Sequence, residues 1–118
     1  MFKHAVAVLS ILALSAVPST AAQVGGASWY GPGFHGKKMA NGKKFNENAI
    51  SFAHKTLPLG SFVKVTNLSN GKTICGPVLD RGPYIKGRII DASKAAAIAL
   101  RYKDQGVTKA SVEPVKSC

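Results

Sequence analysis

Two stretches of this chain alternate hydrophobic and polar residues at period two, and the alternation predicts strands. Residues 61–67 (SFVKVTN) and 107–115 (VTKASVEPV) carry the pattern of a half-buried strand. Shorter segments fit the same reading. Residues 27–30 follow a Gly25-Gly26 pair, 49–53 and Ile89-Ile90 are brief strands, and 73–79 is the return partner of 61–67. Asn70-Gly71 marks the hairpin between those two, because this pair tolerates the positive φ of a type I′ turn. Pro77 lacks an N–H, which predicts an edge or bulge position. Residues 93–102 (SKAAAIALRY) form the one helical segment, alanine-rich, with Asp91 or Ser93 as N-cap and Gln105-Gly106 as terminator. Residues 31–48 (GPGFHGKKMANGKKFNEN) form a long polar loop, a length usually tied to function in so small a chain. Asp80-Arg81-Gly82-Pro83 is a tight turn. Many short strands and one short helix predict an all-β fold, a small β-barrel.

The N-terminus is patterned differently. Met1-Phe2-Lys3-His4 is a basic start, residues 5–17 are almost wholly apolar, and Pro18-Ser19-Thr20-Ala21-Ala22 puts small residues where a signal peptidase cuts. Residues 1–22 therefore read as a secretory signal and 23–118 as one domain. The apolar run is short for a transmembrane anchor, and no cysteine follows the cleavage site to take a lipid. The expectation is a soluble exported domain, periplasmic or extracellular, with no stable membrane anchor.

Composition sharpens this. Hydrophobic residues make up 46% of the chain, enough for a core and too many for a disordered segment. Sixteen Lys and Arg against five Asp and Glu give a net charge of +11. Such a domain is drawn to polyanions, namely cell-wall polymers, membrane surfaces or nucleic acid, and export argues against nucleic acid. Cys75 and Cys118 are the only cysteines. Oxidation after export makes a disulfide between them plausible, contributing ~4 kcal/mol in the chain-entropy model; a buried thiol at Cys75 and a frayed Cys118 is the alternative. His35 and His54 sit in different loops without spaced carboxylates, so no metal site and no cofactor are expected. Nothing in the pattern requires an oligomer, and a monomer is expected.

Several motifs carry a resemblance. Ala27-Ser28-Trp29-Tyr30-Gly31, Phe34-His35-Gly36, Ala40-Asn41-Gly42, Ala53-His54-Lys55-Thr56-Leu57-Pro58-Leu59-Gly60, Asp80-Arg81-Gly82-Pro83-Tyr84 and Gly87-Arg88-Ile89-Ile90-Asp91 occur in this order. Together they resemble the RlpA-like (rare lipoprotein A) family over residues 25 to about 113. The resemblance implies a six-stranded double-psi β-barrel with one short helix. It also implies an endolytic peptidoglycan transglycosylase acting on glycan strands that lack stem peptides. The alternative is a non-catalytic, expansin-like peptidoglycan-binding or wall-loosening protein.

A lytic transglycosylase protonates the glycosidic oxygen between MurNAc and GlcNAc, and the C6 hydroxyl of MurNAc then closes a 1,6-anhydro ring without water. One carboxyl group can serve first as acid and then as base. The domain offers five acids: Glu47, Asp80, Asp91, Asp104 and Glu113. Read alone, Asp80 is as much a turn cap as a rim catalyst; the resemblance places it at an active-site position. His54 likewise gains a functional role, hydrogen-bonded to Asp80 or to the sugar. Tyr30, His35, Lys43, Glu47, Arg81 and Tyr84 are the expected substrate-binding residues. Asp91 reads mainly as a cap, and Arg81 and Arg88 as partners of Asp80 and Asp91 or of lactyl carboxylates. Relatives carry an acid directly after the Asn-Gly of the long loop, where this chain has Lys43. Glu47 is then the candidate substitute, through a shift of the loop.

Overall fold

The computed structural model describes residues 22–118; the expected signal segment, apart from Ala22, lies outside them. The strands are β1 (Gln23–Trp29), β2 (Phe52–Ala53), β3 (Phe62–Asn67), β4 (Thr73–Asp80), β5 (Arg88–Ala92) and β6 (Thr108–Val115). They close into a barrel in the order β1-β5-β2-β4-β3-β6. Pairs β1–β5 and β2–β4 are parallel and the other four antiparallel. The chain thus forms the mixed, closed six-stranded barrel with one short helix that the resemblance implies. Among the described residues, no helix is long and apolar enough to cross a membrane.

Alternation decides which side chains fill the barrel. On β3, Val63, Val65 and Asn67 point inward and are buried, while Lys64 stays exposed. They meet Phe52, Val78, Ile90 and Val112, and the helix adds Ala96, Ala97 and Leu100. Asn67 is the polar exception, satisfied by donating to Leu100 C=O at 2.8 Å and accepting from Thr108 Oγ1 at 2.8 Å. A Cβ at Gly76 would lie 2.8 Å from Ile50 Cγ2 and 3.0 Å from the Phe52 ring, so glycine at this position makes room for Phe52 in the core. Cys75 on β4 is disulfide-bonded to Cys118, which ties the last residue of the chain to the barrel.

Two local expectations change, and for Pro77 the bulge alternative holds. The β3–β4 connection is not a type I′ turn: Gly71 has φ +79 but Asn70 does not go positive. A longer loop forms instead, with Asn67 C=O accepting from both Asn70 and Gly71 N–H. Pro77 is not at an edge, since the barrel has none. It faces Phe62 beside a bulge in which Gly60, at φ +92, donates to Val78 C=O and Val78 N–H donates to Ser61 C=O. The helix α1 (Lys94–Ala99) is shorter than predicted and is capped by Ser93, whose Oγ accepts from Ala96 N–H, rather than by Asp91. It ends before Gln105-Gly106 because Arg101 turns left-handed at φ +61. That turn carries the Tyr102 ring into the core, where its hydroxyl donates to Ser28 C=O at 2.8 Å.

Candidate active site

Parallel pairing of β1 with β5 and antiparallel pairing of β2 with β5 build the site from residues far apart in sequence. Ser28 lies in register with Asp91, and Ala53 registers with both Asp91 and Asp80. The two acids therefore sit on strands flanking β2, two strand spacings or about 10 Å apart at the backbone. Both line one open cavity of about 350 Å³, together with Tyr30, Tyr84, Lys37 and Lys38.

Asp80 is held as an acceptor. Tyr30 donates its hydroxyl to Oδ2 at 2.6 Å, while Ala40 N–H and Arg81 N–H donate to Oδ1 at 2.8 and 2.9 Å. Burial and the Asp80 carboxylate hold the Tyr30 hydroxyl far above its ordinary pKa, so it remains a donor. The Tyr30 ring stacks on Phe45 with centroids 4.4 Å apart and meets Phe34 edge-on at 5.5 Å. These contacts fasten the 31–48 loop over the end of β1, and Asn41 N–H to Leu79 C=O fastens it to β4. The long loop is thus a fixed wall of the cavity.

Asp91 is differently placed. Its carboxylate accepts from Ser28 Oγ at Oδ1, 3.0 Å away. Burial pushes its carboxyl above the usual value of 3.8; Asp80 adds to that, and Ser28 and Arg88 oppose it. The cavity therefore holds two carboxyl groups in unlike settings, one gripped by three donors and one whose burial disfavours its charged form. Such a pairing suits acid–base chemistry. Asp91 has a local signature that reading it as a cap passed over: an acid inside the apolar run Ile89-Ile90-Asp91-Ala92 must pay for burial or use it. Among the described residues, no three His, Cys, Asp or Glu side chains converge as metal ligands would.

A family model described as lytic transglycolase matches residues 22–112. The chain is also 55% identical over 94 residues to the endolytic peptidoglycan transglycosylase RlpA of Rickettsia felis, covering 77% of this chain and 41% of that protein. The chain belongs to the lytic transglycolase family. A probable endolytic peptidoglycan transglycosylase RlpA of Synechocystis is 51% identical, over 76% of this chain and 28% of that protein. The chain thus spans well under half the length of these relatives. Among solved structures it is similar to a Streptomyces papain inhibitor, with TM-score 0.62 and 26% identity over 81% of this chain and 97% of that one. A Clavibacter michiganensis expansin in complex with cellohexaose has TM-score 0.62 at 21% identity, over 80% of this chain and 50% of that one, a likeness of fold.

This lytic transglycolase chain places the other expected residues unevenly. Tyr84 stands 75% exposed on the cavity rim. Arg81 lines the cavity, but its guanidinium does not pair with Asp80: Nη1 donates to His54 C=O at 3.1 Å and Leu57 C=O at 2.6 Å. The expected pairing of the His54 imidazole with Asp80 is absent. The ring is buried; Nδ1 accepts from Thr56 and Leu57 N–H at 3.1 Å each, and Nε2 faces Gln23 Oε1 at 2.9 Å. Two backbone donors at Nδ1 leave the proton on Nε2. Burial, with the charges of Arg81 and Lys55, lowers the ring's pKa below the usual 6.5. His54 meets Asp80 only through the backbone, its N–H donating to Asp80 C=O at 3.1 Å.

Lys43 sits exposed on a tight turn, with its N–H on Asn41 Oδ1 and its C=O accepting from Met39 N–H, and it does not line the cavity. Glu47 does not replace the missing acid. Its N–H donates to His35 Nδ1 at 3.1 Å and its C=O accepts from Ala95 N–H, which anchors it beside α1. There it lines a separate cavity with Trp29, Lys94 and Lys103. His35 accordingly fixes the loop's return path and does not reach Asp80.

Proposed function

We propose that this chain is an endolytic peptidoglycan transglycosylase that acts on glycan strands lacking stem peptides. The supporting observation is a cavity with two unlike carboxyl groups, in a barrel about half identical to proteins named for that activity. A strand lies across the rim on Tyr84, with the MurNAc–GlcNAc linkage between Asp80 and Asp91. Asp91 donates its proton to the glycosidic oxygen, and the C1–O bond breaks with its electron pair going to the GlcNAc O4. The C6 hydroxyl oxygen of MurNAc bonds to C1, and its proton passes to Asp80. The products are a 1,6-anhydro-MurNAc end and a GlcNAc end, with no water consumed. Tyr30 orients the Asp80 carboxylate and Ser28 orients Asp91.

On this reading His54 is a positioning residue. Its ring pins the amides of Thr56 and Leu57, and the carbonyls of residues 54 and 57 hold the side chain of Arg81, the residue after Asp80. The same reading takes residues 1–22 as the signal that exports residues 23–118 to the cell wall as a monomer. The experiment is digestion of purified strands stripped of stem peptides, with mass spectrometry of the ends. Anhydro ends that disappear in Asp80→Asn and in Asp91→Asn are expected. Binding without any product would instead identify a wall-loosening protein.

A further inference from the structure

We propose that Lys37 and Lys38 recognise the free lactyl carboxylate of MurNAc, and that this contact selects strands without stem peptides; the inference rests on the glycan-cleaving reading above. Of the four lysines in the 31–48 loop, these two line the cavity that holds Asp80 and Asp91, and Lys43 and Lys44 do not. Their backbone is fixed. Lys37 N–H donates to Phe34 C=O at 3.0 Å, Phe45 N–H donates to Lys37 C=O at 2.7 Å, and Lys38 bridges to Lys44. The Lys37 ammonium lies 5.9 Å from the Phe34 ring centroid, a contact that favours a cation on that wall of the cavity.

Neither ammonium is engaged by an acid. The ion pairs among the described residues are Lys64–Glu113 and Lys103–Asp104. Arg81, the other cation lining the cavity, is committed to two backbone carbonyls. The Asp80 carboxylate repels an anionic ligand unless cations meet that ligand's charge elsewhere, and Lys37 and Lys38 meet it on the loop wall. Removing the stem peptide exposes one lactyl carboxylate per disaccharide; when the peptide is attached, that carboxyl is a neutral amide. The two lysines therefore distinguish the strands by charge, before any difference in bulk.

The test measures binding of one strand preparation in two forms: carboxylates free, and carboxylates converted to N-methylamides. The wild-type chain is expected to bind the free form roughly tenfold more tightly at low salt, the sum of two exposed charge contacts, with the difference shrinking as salt is added. Lys37→Gln/Lys38→Gln is expected to bind both forms alike, at the weaker level. Lys72→Gln/Lys109→Gln, which removes the same charge outside the cavity, is expected to keep the preference. Equal binding of the two forms by wild type overturns the proposal, as does a preference that survives in Lys37→Gln/Lys38→Gln. Scoring anhydro ends in the same samples separates the two readings. Selective binding without cleavage overturns the transglycosylase and leaves the recognition standing, whereas cleavage of both forms with equal binding overturns the recognition alone.

Discussion

Replacing His54 separates a structural imidazole from a chemical one. In His54→Ala the amides of Thr56 and Leu57 lose their shared acceptor, and Gln23 loses its partner. At about 1 kcal/mol for each hydrogen bond, softened where water reaches the exposed Thr56 amide, the loss is about 2–3 kcal/mol. For a domain of this size that lowers the melting midpoint by roughly 10–20 °C. The carbonyls that hold Arg81 shift with the loop, and cleavage falls as Asp80 is displaced. His54→Asn restores the acceptor, because Asn Oδ1 can take the amides two and three residues on, as it does in an Asx turn. Asparagine cannot titrate, however. The Asn variant is expected to melt within about 5 °C of wild type and to keep at least a third of its cleavage rate, whereas the Ala variant loses both. Thermal melts and release of anhydro ends on the same preparations decide it. A His54→Asn protein as stable as wild type but as inactive as His54→Ala would show that the imidazole does chemistry, and the positioning role would be wrong.

Four further outcomes are expected. Cys75→Ser/Cys118→Ser opens a loop with a sequence separation of 43 and should cost about 4 kcal/mol, a drop in melting midpoint of roughly 20 °C under non-reducing conditions. Tyr30→Phe removes the 2.6 Å bond to Asp80 but keeps the stack on Phe45, so cleavage should fall roughly tenfold or more while the melt moves far less. Asp91→Asn should abolish cleavage yet raise the melting midpoint at neutral pH. The folded-state pKa of Asp91 is raised, so the charged form opposes folding as pH climbs past the unfolded value, and Asn escapes that cost. His54 works in the opposite pH range. Its folded-state pKa is lowered, so its contribution to stability is complete above about pH 6.5 and falls as pH drops below it; melts at pH 7.5 and 5 should differ in wild type and differ less in His54→Asn.

The strands were legible because their signal is local. Alternation along Phe62–Asn67 and Thr108–Val115 matches the inward and outward faces of the barrel. What failed depends on partners distant in sequence. The helix stops at Ala99 because Tyr102 is recruited to a carbonyl on β1, 74 residues away, and no property of the SKAAAIALRY run announces that. Asp91 occupies a position where a cap would be unremarkable, and its meeting with Ser28, 63 residues earlier, follows only from the parallel β1–β5 pairing. The same holds for His54. Its motif is easy to recognise, but the ring's direction is fixed by the local amides of Thr56 and Leu57 and by Gln23, 31 residues upstream. Asp80 and Tyr84 line one cavity because the short motif that contains both sets them four residues apart on a single turn. Lys43 and Glu47 were linked by nearness in sequence, yet the loop directs them to different surfaces.

On the proposed function, Asp80 and Asp91 work on one linkage by ring closure and not by hydrolysis. Digesting strands free of stem peptides in ¹⁸O-labelled water tests it most directly. New MurNAc ends that are all anhydro and carry no label are expected, and none of either kind from Asp91→Asn. New reducing ends beyond those of an enzyme-free control, or undiminished anhydro ends from Asp91→Asn, would contradict it.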